Sequence, residues 1–234
     1  ALHNSWGLTP VAASAAVGVV SGVLLPAPLA VAAYCGSFAG MATTTVVSSL
    51  PVAALACAAC ALLLRAFNRG GWLVGRGGRL GLVAQLACTA TFLALRVLDG
   101  GSVAGASLFC AANYHAGTIK TVPLLMAGSV IGAAATRAWQ SAFRGRSRLD
   151  NLVTSSSAVG GLACLVLPGS LHAPVFAGTF VAMSSQQVLP GAARLVAAAM
   201  CCGVWQAWLS GVLNGGWGGK LGTAALLGVL SVAG

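Results

Sequence analysis

Apolar residues in this chain fall in long continuous runs, with neither the period of two of a half-buried strand nor the narrow stripe of a surface helix. The runs are Thr9–Leu25, Leu29–Leu50, Val52–Phe67, Leu80–Leu98, Val122–Trp139, Leu152–Leu167, Pro174–Leu189, Ala192–Leu213 and Leu221–Val232. Most approach the roughly 20 residues that a helix needs to cross a ~30 Å hydrocarbon core. Breaks between them carry Pro, Gly or basic residues: Pro26 and Pro28, Pro51, the loop with Arg65, Arg69, Arg76 and Arg79, and Asp99-Gly100-Gly101. Val103–Ala112 is too short to cross and runs straight into Asn113, Tyr114, His115 and Lys120, so it reads as a half-helix or re-entrant segment.

The pattern occurs twice. Ala16–Met41 aligns without a gap on Ala158–Met183, matching Leu25-Pro26 with Leu167-Pro168 and Gly36-Ser37-Phe38 with Gly178-Thr179-Phe180. The match returns, shifted by one residue, as Gly77-Gly78-Arg79-Leu80-Gly81 on Gly218-Gly219-Lys220-Leu221-Gly222. The expected organisation is a first membrane repeat over 1–100, then a short segment, an extra helix and a basic linker over 101–149, and a second repeat over 150–234. The fold class expected is an all-α polytopic integral membrane protein of about eight transmembrane helices plus one short or re-entrant segment.

Composition supports membrane insertion. The chain is 58% hydrophobic and 6% charged, with mean hydropathy +0.93, whereas a soluble domain carries about 25% charged residues. So little charge cannot cover a water-facing surface. Gly 32 against Pro 8 suits membrane helices whose backbones approach closely. The net charge of +10 is concentrated in loops, which fits the positive-inside rule better than a nucleic-acid partner. Placing both Arg65–Arg79 and the linker Arg137–Arg148 on the inner face makes the two repeats inverted, provided Val103–Lys120 does not span. If it does span, the repeats are parallel. Trp6, Trp72, Trp139, Trp205, Trp208 and Trp217 mostly sit near run ends, as in an interfacial belt. Ala1–Pro10 does not read as a targeting signal in itself, and the identity of the membrane is left open.

Candidate chemistry is sparse. Asp99 and Asp150 are the only carboxylates and both lie at loop edges, which disfavours carboxylate-coupled transport and paired-acid hydrolysis. His3, His115 and His172 lack ligand partners at helical spacing, and the eight cysteines read as small buried hydrophobes. No enzyme activity, metal or cofactor is expected. The best substrate-binding candidates are Gly36, Ser37, Phe38 and Met41 with Gly178, Thr179, Phe180 and Met183, each set followed by hydroxyl or amide residues that cost free energy at membrane depth unless partnered. A bland packing role competes, because Gly36 and Gly40 also make a small-xxx-small contact. Secondary candidates are Arg79 and Lys220, whose preceding glycines leave helix N-terminal N–H groups open to anions, and the cluster of Asn113 and His115.

The function expected is a small membrane transporter or channel for a small neutral or anionic solute, passive in mechanism, with its pathway between the duplicated Gly-Ser-Phe and Gly-Thr-Phe segments. Its partners are lipid, the solute, and either further copies of itself or other membrane subunits, without nucleic acid. The competing expectation is a non-catalytic structural or accessory subunit of a respiratory or photosynthetic complex. A pathway requires the polar tails after Met41 and Met183 to face one cavity. A packing subunit does not.

Overall fold

In the computed structural model, residues 7–44, 46–98, 116–146, 148–212 and 216–233 are described, and among them every regular element is an α-helix. In chain order these are α1 (Pro10–Leu24), α2 (Ala27–Ala39), α3 (Leu50–Arg69), α4 (Arg79–Leu98), α5 (Ala116–Ala142), α6 (Leu152–Val166), α7 (Gly169–Ala182), α8 (Gly191–Val212) and α9 (Lys220–Leu230). Four stretches are long and apolar enough to cross a membrane: α3, α4, Thr121–Ala142 of α5 and Gly191–Ser210 of α8. Leucines on the outer surface stay open, with Leu62 at 70% and Leu98 at 80% exposure, as in a helical membrane protein whose outer surface faces acyl chains.

Local chemistry sets the helix ends. Thr9 caps α1 by accepting from the Ala12 N–H at 3.2 Å, with Pro10 in the first turn. Asn151 caps α6 by accepting from the Val153 N–H at 2.7 Å. Both helices stop at a Leu-Pro step. Leu25 and Leu167 are extended, at φ −100° and −108°, because the following proline excludes the α region. The chain then doubles back. A Ser14–Ser37 hydroxyl contact of 2.8 Å ties α1 to α2, and a Ser156–Thr179 contact of 2.7 Å ties α6 to α7, so each pair is a helical hairpin.

Two expectations about the runs are corrected here. Leu29–Leu50 and Pro174–Leu189 are not continuous helices: α2 ends at Ala39 and α7 at Ala182, and turns follow in both. The freed backbone groups are taken up by tertiary bonds, Thr43 N–H to Gly216 O at 3.0 Å and Ser185 N–H to Gly75 O at 2.8 Å. Nor does Pro174 open its helix, since α7 begins at Gly169 and continues through it. The segment Val103–Ala112 lies outside the described residues.

The two hairpins meet back to back. α1 packs on α6 in antiparallel sense, because a side chain at Gly18 would strike Ser157 while one at Gly22 would strike Thr154. α4 crosses α9 at backbone contact through Gly78 and Gly81 against Gly219 and Gly222. α5 is held against α7 and α8: Gly132 abuts Val175 O, Gly178 abuts Ser129 O, and Gly203 meets Met126. Small residues at each crossing let backbones approach and gather dispersion contacts, which have to replace the hydrophobic drive absent between helices in lipid.

Candidate functional site

The centre of the molecule is an aromatic cluster from the two short hairpins. Tyr34 and Phe38 of α2 face Phe176 and Phe180 of α7, all at most 2% exposed. Phe38 and Phe180 meet edge-on with ring centroids 5.0 Å apart. Tyr34 lies 4.5 Å from Phe38, and Phe176 lies 4.7 Å from Phe180. Such tilted pairs contribute about 0.5–1.5 kcal/mol each beyond burial.

Two cavities reach this cluster, and Phe38 and Phe180 line both. The first, about 380 Å³, also has Thr9, Pro10, Met41, His172, Trp217 and Lys220 in its wall. The second, about 390 Å³, has Ala27, Arg76, Arg79, Asn151, Leu152 and Met183. Their walls are largely apolar with a cationic rim, and among the described residues no carboxylate lines either one. Phe38 and Phe180 thus sit where the two cavities abut.

A directed hydroxyl chain braces the aromatic cluster. Thr179 donates to Phe176 O at 2.7 Å, so its oxygen accepts from Ser156, whose oxygen accepts from the Tyr34 O–H at 3.1 Å. Ser14 likewise donates to Ser37, which donates to Tyr34 O at 2.7 Å. Every O–H in these two chains is spent inside the protein, so they hold α1–α2 and α6–α7 in register and leave no donor among them for a solute. The Oγ of Thr154, on the α1–α6 seam, is buried without a partner.

The predicted residues therefore divide. Phe38, Met41, Phe180, Met183, Arg79 and Lys220 line the cavities. Gly36, Ser37, Gly178 and Thr179 do not line them. Gly36 lies against Cys57, Gly178 against the α5 backbone at Ser129, and the two hydroxyls belong to the bracing chains. Nor are the N–H groups before α4 all open, since that of Gly77 bonds Ser184 Oγ at 2.9 Å. Asn113 and His115 lie outside the described residues. The polar tails are used as clamps: Thr43 holds Gly216, Ser185 holds Gly75, and Ser184 O accepts from Arg137 Nη2 at 2.8 Å. Gln186 lines a separate cavity of about 300 Å³ with Arg137 and Arg144.

Reading for duplicated glycines overlooked Tyr34, Phe176, Arg76 and Trp217. The signal was available. The ungapped register that pairs Phe38 with Phe180 also pairs Tyr34 with Phe176, and Arg76 and Trp217 stand immediately before the two Gly-Gly steps.

The Arg137 clamp carries a prediction. Arg137→Ala removes a charge-assisted donor from the carbonyl of buried Ser184 and should lower resistance to unfolding by about 1.5 kcal/mol, with Arg137→Lys losing less. Unfolding by anionic detergent in mixed micelles measures both.

Comparison with family models, with curated proteins and with solved structures finds no match. The class that the fold defines is a helical protein with, among the described residues, no strand and four apolar helices of membrane-crossing length. Its function has to be argued from the site.

Proposed function

We propose that this chain is a small passive membrane transporter or channel for a small neutral or anionic solute, with its pathway running between the α2 and α7 ends at Phe38 and Phe180. The observation that carries this reading is the pair of cavities of nearly equal volume, about 380 and 390 Å³, which abut at the same two rings. On this reading the two shared rings close the route in this conformation. The cationic rims and the absence of lining carboxylates favour a neutral or anionic solute over a bare cation.

The same reading takes the chain as two tandem repeats of inverted topology. Its support is that corresponding elements meet in opposite sense: α1 on α6, and α4 across α9. A Cβ on Gly77 would strike Phe180 O, and one on Gly218 would meet Phe38 O at 2.5 Å. Pathways at the interface of such repeats are a recurrent membrane-protein design. On this view α1, α2, α6, α7 and α9, of 11 to 15 residues each, are short crossing or half-crossing helices rising ~16 to ~22 Å.

The test is flux through the purified chain in liposomes, using urea as the neutral probe and nitrate as the anionic one. Flux of either above that of protein-free liposomes is the expected result. Intact, folded protein with neither flux removes the pathway reading.

One observation favours the accessory-subunit reading: among the described residues the polar tails after Met41 and Met183 line neither cavity, and Thr43 and Ser185 clamp Gly216 and Gly75 through their backbone N–H groups. Under that reading the chain, gently extracted from its native membrane, co-migrates with a large assembly.

A further inference from the structure

The two cavities differ in charge. Where one carries Trp217 and Lys220, the other carries Arg76 and Arg79. Trp217 is buried against Phe92, with ring centroids 5.4 Å apart. The two arginines sit around the N-terminus of α4, a helix of 20 residues whose dipole adds positive potential there. Arg79 Nη2 donates to Asn68 Oδ1. Yet Nε of Arg79 and Nε of Arg76 are both buried with no hydrogen-bond partner. Both arginines line the cavity, and among the described residues no carboxylate in its wall opposes their charge, so an anion entering it meets unbalanced positive potential.

Among the described residues the one carboxylate is Asp150, next to Asn151 of the wall in sequence, and it does not serve. Asp150 accepts from the Gly145 N–H at 3.1 Å and is absent from the wall. Asn151 is occupied too, donating to Gly22 O and accepting from the Val153 N–H. The rest of the wall, including Val31, Leu80, Leu152, Val153 and Met183, is apolar.

We propose that the cavity at Arg76 and Arg79 is a binding site for a small organic acid, its oxyanion group held by the two guanidinium groups and its short apolar body held against Val31, Leu152 and Met183. This rests on the pathway reading and names the solute class for it. Guanidinium matches the planar fork of a carboxylate, which favours an organic acid over a spherical ion. The cavity volume of about 390 Å³ leaves room for several carbons beside the headgroup. The opposite cavity, with a single Lys220 and the indole of Trp217, is the weaker anion site, so binding is asymmetric across the molecule.

The experiment measures binding of butyrate to the purified full chain in an uncharged detergent at constant ionic strength, by calorimetry or thermal shift. Butyramide, nearly the same shape without charge, is the control. Butyrate should bind saturably and butyramide should not. Arg76→Gln should weaken butyrate by ~30-fold or more, with Arg76→Lys in between. Equal binding of butyrate and butyramide overturns the proposal, as does unchanged affinity in a folded Arg76→Gln variant. Stabilisation by phosphatidylglycerol with none by butyrate also overturns it, in favour of a lipid-phosphate contact. Butyrate binding without flux in liposomes keeps the site and removes the pathway reading, whereas urea flux without butyrate binding does the reverse.

Discussion

Gly78→Ala should leave almost no folded protein. Gly78 has φ +82°, where a Cβ costs about 1–2 kcal/mol. That Cβ would also fall on Gly222 O and Leu226 N, and both are backbone atoms that no rotamer change can move aside. Relief requires α4 and α9 to separate, which exposes the crossing on which both helices depend. The combined loss belongs with the severe substitutions, above about 4 kcal/mol. Gly219→Ala should behave alike, since Gly219 has φ +85° and its Cβ would meet Gly81 O and Gln85 N. Gly71→Ala is the control. Its φ of +63° carries the same conformational cost, but nothing lies within 4 Å, so a loss of only ~1 kcal/mol is expected. Monodisperse yield and thermal unfolding in detergent measure all three. Equal behaviour of Gly71→Ala and Gly78→Ala would mean that the close crossing does not hold the fold together.

Under the proposed pathway, Phe180→Ala should raise solute flux rather than lower it. Phe180 lines both cavities together with Phe38, and under the proposed pathway removing its ring joins them. Lowering a barrier by ~1.4 kcal/mol raises a rate about tenfold, and clearing an aromatic closure should exceed that. The same truncation costs about 3–5 kcal/mol of packing, because Phe180 also touches Tyr34 and Phe176. Flux must therefore be normalised to folded protein. Phe180→Leu fills part of the space and should leave flux near the wild-type level with a smaller stability loss. A flux in Phe180→Ala that falls in proportion to folded protein would make the aromatic cluster a packing core only.

These two substitutions mark how far the residues alone could be read. The runs around Val52–Phe67 and Leu80–Leu98 became α3 and α4 nearly as bounded, because an uninterrupted apolar stretch of that length has one favourable state in lipid. Leu29–Leu50 and Pro174–Leu189 were equally apolar yet break after Ala39 and Ala182. Hydropathy registers side chains, whereas these breaks depend on where the backbone finds partners, and the partners are Gly216 and Gly75, remote in the chain. Met41, Met183, Arg79 and Lys220 line the cavities. Ser37 and Thr179 went into bracing bonds because a hydroxyl near the end of a buried helix readily bonds the carbonyl one turn back.

Composition and run length by themselves determined that the chain is helical and suited to a membrane, since 6% charge cannot solvate 234 residues and continuous apolar runs satisfy their backbone only as helices. Self-similarity also singled out Phe38 with Phe180 and the Gly-Gly steps before α4 and α9. What those features do was decided by tertiary structure. Only the antiparallel approach of the two hairpins sets Phe38 edge-on to Phe180, turns the glycines into a backbone crossing, and leaves the Nε atoms of Arg76 and Arg79 buried beside an apolar cavity. The physical reason is distance along the chain. Periodicity reports the environment of neighbouring residues, whereas each of these arrangements joins groups remote from one another in the chain.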